Sequence, residues 1–142
     1  MIDWTNPKDK VSKYFTVKEC LYLPAWSRMA TEDDYKHPII LANLTDLCLR
    51  MDKVRAFFGF PVIVHCAYRP ENYNLQVGGV PDSAHIQGQA MDFHVESVDC
   101  NLARDLLVSH LEEFGLRLEN KHDASWLHCD TAPVINERYF KV

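Results

Sequence analysis

Two histidines and an aspartate at separated positions could together hold a metal ion. His85 and Asp92 lie seven residues apart, and His128 follows in the C-terminal part of the chain. A catalytic zinc ion takes three protein ligands of the His and Asp/Glu type and keeps a fourth position for water. Gly88 permits the chain to turn between the first two, because a side chain at a tight turn would obstruct the return. The alternative stays open at this point, since seven histidines in 142 residues also meet a carboxylate by chance.

Segments of alternating character predict the strands that would position these side chains. The segments 90–95 (AMDFHV) and 126–130 (WLHCD) alternate between apolar residues suited to a core and more polar ones. Successive side chains of a strand point to opposite faces, so imidazoles and carboxylates collect on one face of the sheet. The segment 116–119 (LRLE) is predicted to pair with 126–130 across a loop, and 61–66 (PVIVHC) is typical of a buried strand.

Apolar spacing and capping residues predict three helices around these strands. A capping box opens a short helix over residues 16–23, and a stripe at intervals of three and four residues predicts a long helix over 38–58, ended by Gly59. Residues 67–90 hold most of the glycines and show no apolar period, which indicates a long functional loop. A third helix is predicted over 99–114. It would bury five apolar residues, Leu102, Leu106, Leu107, Leu111 and Phe114.

The composition is that of one soluble globular domain. Of the 142 residues, 47% are hydrophobic and 25% are charged, and the formal charge is −5. No basic block is present, which excludes nucleic acid and anionic membrane surfaces as partners on electrostatic grounds. No apolar run approaches the roughly 18–20 residues that cross a bilayer. Five scattered cysteines without a CxxC pair argue against a disulfide framework and against a cysteine-type zinc site.

The motifs around the three candidate ligands resemble those of a peptidase family. Residues 83–92 (SAHIQGQAMD) resemble the SxHxxGxAxD signature of zinc D-alanyl-D-alanine carboxypeptidases and L-alanyl-D-glutamate endopeptidases, and 126–130 resemble their WxHxD segment. Residues 68–79 are similar to the YRxxxxN…VGG stretch of phage and bacterial members, and 15–19 and 43–44 match their FTxxE and NL elements. The resemblance implies an α+β fold with a central antiparallel sheet flanked by helices and zinc at one end, a core shared with Hedgehog signalling domains.

The resemblance also implies a role for each matched side chain. His85, Asp92 and His128 would hold one zinc ion. Arg69 would bind a carboxylate of the substrate, a task suited to its planar guanidinium with five donors. Ser83 would form a hydrogen bond near the same end of the substrate; the alternative for a serine in this position is a turn-stabilising role.

The general base is where the chain departs from part of the family. Many members carry Glu or Asp three residues before the last zinc histidine, where this chain has Ser125. Glu119, expected to face Trp126 across the strand pair, is the favoured candidate, because a strand holds a side chain more firmly than a loop. Asp123 in the loop is the alternative base. Trp126 would line the substrate groove or pack beside the metal, and His94 is a rival ligand.

The expected function is hydrolysis of a peptide bond in peptidoglycan stem peptides, as a D-Ala-D-Ala carboxypeptidase or an L-Ala-D-Glu endopeptidase of endolysin-like, phage or prophage type. We expect residues 1–142 to form a single zinc peptidase domain without a separate cell-wall-binding domain, and to act as a monomer. No secretory signal is visible, so we expect synthesis in the cytoplasm and action on the cell wall after release. The alternatives are a non-catalytic zinc-containing binding module and a phage structural component that uses the same core.

Overall fold

The chain folds as an α+β protein around one mixed sheet, in a computed structural model that describes residues 1–142. A small antiparallel ladder joins β1 (Tyr22–Leu23) to β2 (Arg28–Met29). The main sheet has the spatial order β3-β4-β6-β5-β7. Its five strands are β3 (Val62–Cys66), β4 (Ala90–Val95), β5 (Arg117–Glu119), β6 (Leu127–Asp130) and β7 (Tyr139–Phe140).

Six helices flank the sheet. They are α1 (Val17–Leu21), α2 (Glu32–Tyr35), α3 (Pro38–Phe58), α4 (Glu71–Gln76), α5 (Cys100–Leu107) and α6 (Leu111–Phe114). Three short 3-10 turns complete the regular structure, at Pro24–Trp26, Ala84–Gln87 and Val108–His110. None of the helices combines the length and the apolar character that a membrane span requires.

The elements with the strongest sequence patterns lie where the sequence predicts them. Helix α3 covers the whole apolar stripe and ends at Gly59, whose φ of 73° forms the left-handed cap. Strand β4 has the predicted bounds, and its residues Met91, Phe93 and Val95 are buried. These side chains form one apolar cluster with the buried stripe of α3 and with Leu127 and Cys129 of β6. The opposite face of the sheet is therefore free for polar groups.

The sheet differs from the expected antiparallel arrangement in one strand. β3, β4, β6 and β5 are antiparallel to their neighbours, whereas β7 runs parallel to β5. With only two residues, β7 is too short to leave an alternating pattern in the sequence. The expected loop over 67–90 is also interrupted, because α4 and the 3-10 turn Ala84–Gln87 lie within it.

The predicted helix over 99–114 is confirmed in its extent and in the burial of Leu107, Leu111 and Phe114, but it is wrong in its continuity and in the burial of Leu102 and Leu106. It is divided into α5, a 3-10 turn and α6, and Leu102 and Leu106 are 51% and 45% exposed. The side chain buried in their place is Arg104. Its guanidinium donates to the carbonyl oxygens of Trp126 at 2.7 Å and Ala124 at 2.9 Å. These charge-assisted hydrogen bonds favour this rotation of α5, since they hold the segment that leads into β6.

Gly88 is required where the chain turns back toward β4, and its replacement by alanine should destabilise the protein. Its φ is 69°, and an added Cβ would lie 2.8 Å from the carbonyl oxygen of Ile40 and 3.2 Å from Leu44 in α3. We expect Gly88→Ala to lower the free energy of unfolding by about 1–3 kcal/mol, measured by urea denaturation. Gly59→Ala is the matched control, because Gly59 has a similar φ of 73° but no atom within 4 Å of the added Cβ. An equal loss in both variants would contradict the contribution of the close approach to α3.

Candidate metal centre

Three side chains from distant parts of the chain converge on the polar face of the sheet. Strand pairing places Asp92 of β4 beside His128 of β6, and the 3-10 turn Ala84–Gln87 brings His85 above them. His128 Nδ1 is 2.9 Å and His85 Nε2 is 3.2 Å from the same oxygen, Asp92 Oδ1. One donor atom from each residue lies within 4.8 Å of the others, which makes this group a candidate metal site.

The orientation of His85 is determined by hydrogen bonds on its far side. The Ser83 hydroxyl accepts from the backbone N–H of His85 at 3.2 Å and so caps the turn that carries it. The ring is buried, and its Nδ1 lies 2.6 Å from the carbonyl oxygen of Ala67. Because a carbonyl can only accept, Nδ1 carries the proton, and Nε2 is the nitrogen that faces Asp92. A metal ligand needs this tautomer.

His128 is oriented by a buried ion pair. Its Nε2 donates to Asp130 Oδ2 at 2.8 Å, and Arg117 binds both oxygens of Asp130 at 2.7 and 3.0 Å. Burial raises the pKa of Asp130, but the hydrogen bonds from His128 and Arg117 outweigh it and leave the pKa lowered. A charged Asp130 therefore holds His128 Nε2–H, and Nδ1 faces the candidate metal position.

The two oxygens of Asp92 have separate partners. Oδ1 faces both histidine rings, and Oδ2 forms a longer contact of 3.4 Å with Arg69 Nη2. Burial raises the pKa of Asp92, but the hydrogen bonds with His128 and His85 hold it well below its usual range. Two imidazole nitrogens and one carboxylate are a donor set that suits zinc, and their single negative charge would leave a divalent ion net positive.

Metal binding at this site should depend on pH through His128. Burial by itself lowers the pKa of His128, but hydrogen bonds to Asp130 and Asp92 outweigh it and raise the pKa to about 9. Below that pH the metal-free ring carries a proton on Nδ1, which a metal must displace. We expect the apparent zinc affinity to rise about tenfold per pH unit between about pH 6 and 8, measured by competition with a chelator. A flat affinity over this range would contradict proton displacement at His128.

Weakening the hydrogen bond between Asp130 and His128 should weaken zinc binding without removing a ligand. Asp130→Asn keeps the shape of the side chain but removes the charge that orients His128 and neutralises Arg117. We expect an apparent zinc affinity about 10–100-fold lower, by the same competition assay. Asp105→Asn on the exposed side of α5 is the matched control and should leave the affinity unchanged. Wild-type affinity in Asp130→Asn would show that the ion pair is structural only.

Arg69 lies beside the three donors with unused hydrogen-bonding capacity. Its Nη1 and Nη2 make contacts of 3.4 Å to Asn74 Oδ1 and Asp92 Oδ2, and its Nε is buried without any partner. An unpaired buried N–H costs about 1–3 kcal/mol. Asn74 is itself held by a 2.8 Å bond to the carbonyl oxygen of Val80, and Gly79 leaves room for its amide. The guanidinium is thus held in place but incompletely satisfied.

The two candidate bases have different surroundings. Arg117 pairs with Asp130 and Leu118 with Cys129 in the ladder between β5 and β6. The same register places Glu119 opposite His128. The expectation that Glu119 faces Trp126 is therefore wrong by two residues. Glu119 is half-buried and takes part in none of the salt bridges of the chain.

Asp123 forms two hydrogen bonds with Asn101 of α5. Its side chain is 80% exposed, and its Oδ1 accepts from Asn101 Nδ2 at 2.9 Å. Its backbone N–H donates to Asn101 Oδ1, also at 2.9 Å, and its φ is 68°. Both hydrogen bonds hold Asp123 against α5.

The aromatic ring beside the candidate centre is that of Phe140, which the sequence does not indicate. The ring of Phe140 in β7 lies 6.0 Å from that of His128, and Arg117 stacks on it with 4.0 Å between the guanidinium carbon and the ring centroid. Trp126 is half-buried; its carbonyl accepts from Arg104, and Lys121 Nζ lies 5.0 Å from the centre of its ring. Arg117 could have been found from its place on the face shared with Asp130, whereas nothing in the sequence signals Phe140.

His94 does not join the three donors. It lies two residues after Asp92, but its Nδ1 contacts His65 Nε2 at 2.6 Å. A cavity of about 720 Å³ is lined by residues that flank the site, among them Tyr68 and Asn74, and by none of the three donors. The three donors are largely buried, with side-chain exposures of 3% for His85, 15% for Asp92 and 14% for His128, and they lie beside this cavity.

One comparison with known proteins gives a match. A family model described as Peptidase M15 matches residues 13–130, a span that includes all three donors and Arg69, Ser83, Glu119 and Trp126. No significantly similar protein is found among the curated proteins.

Proposed function

The chain belongs to the peptidase M15 family, and from this premise we propose that it hydrolyses a peptide bond in peptidoglycan stem peptides, with one zinc ion held by His85, Asp92 and His128. Family membership makes the chain a metallopeptidase. The observation that carries the proposal is the orientation of the two rings. Each has its far nitrogen tied to an acceptor, Ala67 O or Asp130, so that both remaining nitrogens face Asp92 Oδ1.

The proposed reaction uses the zinc ion and one carboxylate. Zinc bound there would act as a Lewis acid that polarises the scissile carbonyl and brings the ionisation of water toward neutral pH. The Glu119 carboxylate takes a proton from the attacking water and returns it to the amine nitrogen of the leaving group. Glu119 is preferred over Asp123 because it lies opposite His128 without a salt-bridge partner, whereas Asp123 is held by Asn101.

The substrate would be held by groups beside the donors. Arg69 supplies the cation for a substrate carboxylate, and its unpaired Nε and two long contacts support this role. The Ser83 oxygen accepts from the His85 N–H, which leaves the hydroxyl hydrogen free to donate to the same carboxylate. Trp126 would line the groove next to His128. All of these groups come from one chain, which supports a monomer as the active unit.

The finer assignments are also part of the proposal. The bond cleaved is either the terminal D-Ala–D-Ala bond or the L-Ala–D-Glu bond, and in both substrates the residue after that bond carries a free carboxylate that Arg69 can bind. The resemblance of residues 68–79 to phage and bacterial members supports an endolysin-like role at the cell wall. A single domain over 1–142 would suffice for this chemistry, since donors, base and substrate cation all lie within it.

A second candidate is a zinc-containing binding module without turnover, or a phage structural component that uses the same core. Ser125 favours it, because this position carries a carboxylate in many relatives and a hydroxyl without an activating partner is a poor base near neutral pH. In that case Glu119 would have no catalytic role, and zinc would only hold the sheet and the 3-10 turn together.

Digestion of a defined substrate separates the two candidates. The zinc-loaded protein is incubated with purified peptidoglycan and with a pentapeptide muropeptide, and the products are identified by mass spectrometry. We expect released D-alanine or a cleaved L-Ala–D-Glu bond, and no product after treatment with a chelator. Bound zinc without any product from either substrate would contradict the peptidase proposal and favour the binding module.

A further inference from the structure

His65 of β3 lies next to a β-bulge, on the face of the sheet that carries Asp92 and His94. Val64 pairs with Phe93 and Cys66 with Asp92, so His65 is the extra residue between two successive pairs. Ile63 pairs with His94, so alternation along β3 places His65 diagonally across from His94 on the same face. His65 Nε2 lies 2.6 Å from His94 Nδ1, with 4.9 Å between the ring centres.

The two rings of this histidine pair have no acidic partner. His110 and His122 each contact a carboxylate, Glu113 and Asp123, whereas His65 and His94 form no salt bridge. Their facing nitrogens share one proton at most, since one must donate and the other accept. An exposed pair of imidazoles whose nitrogens face one another is also a bidentate donor set for a metal ion.

The observed spacing is close to the one that a metal requires. With zinc–nitrogen bonds of about 2.0–2.1 Å in a tetrahedral site, two ligand nitrogens lie about 3.3 Å apart. The facing nitrogens of the pair would have to separate by only about 0.7 Å, which a small rotation of the exposed His65 ring can supply. His94 also lines an open depression of about 510 Å³ together with Asp99 and Asp123, so the surroundings carry negative charge that favours a cation.

We propose that His65 and His94 bind a second divalent transition-metal ion beside the main centre. Imidazole nitrogens favour Zn²⁺, Ni²⁺ and Cu²⁺ over Mg²⁺ and Ca²⁺, so the ligand is an ion of this borderline class. Two neutral protein ligands bind more weakly than the three of the main centre, and water completes the coordination. The proposal concerns a different pair of residues and does not depend on the peptidase function.

Zinc stoichiometry tests the second site without reference to activity. Metal-free protein is dialysed against increasing free Zn²⁺, and bound zinc is measured by elemental analysis. We expect about two equivalents in the wild type, one bound tightly and one weakly. His65→Ala and His94→Ala should each retain the tight equivalent and lose the weak one, whereas His128→Ala should lose the tight one and retain the weak one. His122→Ala, at a 76% exposed side chain, is the control and should retain both.

Two results would overturn the proposal. The first is a single class of bound zinc in the wild type that His65→Ala and His94→Ala both leave unchanged. The second is a weak class that persists in both His65→Ala and His94→Ala, because it would then belong to other surface groups. Absence of the tight class in the wild type, with the weak class lost on His65→Ala, would count against the zinc site of the proposed function and leave the second site supported.

Discussion

Replacing Glu119 with glutamine is expected to reduce muropeptide hydrolysis by about 100- to 10,000-fold while the protein still binds zinc at the main centre as tightly as the wild type. Glutamine has nearly the shape of glutamate but cannot accept a proton from water. Glu119 lies at the end of β5, opposite His128, and is not one of the three donors, so the metal centre should be unaffected. Product formation is measured by mass spectrometry on a defined muropeptide, and zinc by elemental analysis of the same samples.

The comparison with two other acid-to-amide changes makes this result specific. Asp123→Asn tests the alternative base, and it should retain most of the activity because Asp123 is exposed and held by Asn101. Glu112→Gln changes an exposed glutamate in α6 and controls for the loss of one negative charge. Full activity in Glu119→Gln combined with a large loss in Asp123→Asn would transfer the role of general base to the loop.

Replacing His128 with alanine is expected to remove both the tightly bound zinc of the main centre and the stabilisation that this zinc provides. A ligand that binds only the folded state stabilises it by about 2.7 kcal/mol when its concentration is 100 times its dissociation constant. Loss of one of three protein ligands should abolish this gain at the same zinc concentration. Thermal unfolding with and without Zn²⁺ measures the effect, and hydrolysis should fall to the level of chelator-treated protein.

Stability in the absence of zinc must be compared separately, since His128→Ala also leaves Asp130 without its imidazole partner. Asp130 retains both hydrogen bonds from Arg117, so the variant should fold. His122→Ala, in the exposed loop before β6, should show the same zinc-dependent increase in melting temperature as the wild type. An undiminished increase in His128→Ala would rule out this residue as a ligand.

Local patterns in the sequence are sufficient for the elements that carry the candidate site. The alternation in 90–95 predicts β4 with its buried and polar faces, and the stripe of α3 predicts a helix that ends at Gly59. Both patterns arise from periods of 2 and 3.6 residues, which depend only on neighbours along the chain. The motifs around His85, Asp92 and His128 indicate the donor set, and the three side chains do lie together.

Register and long-range contacts required the folded structure. The sequence predicts Glu119 opposite Trp126, whereas it lies opposite His128. This shift of two residues keeps Glu119 on the polar face, because strand faces repeat every two residues. The bulge at His65, the burial of Arg104 and the approach of Phe140 to His128 leave no periodic signal. Each depends on hydrogen bonds or packing between segments far apart in the chain, which spacing along the sequence does not encode.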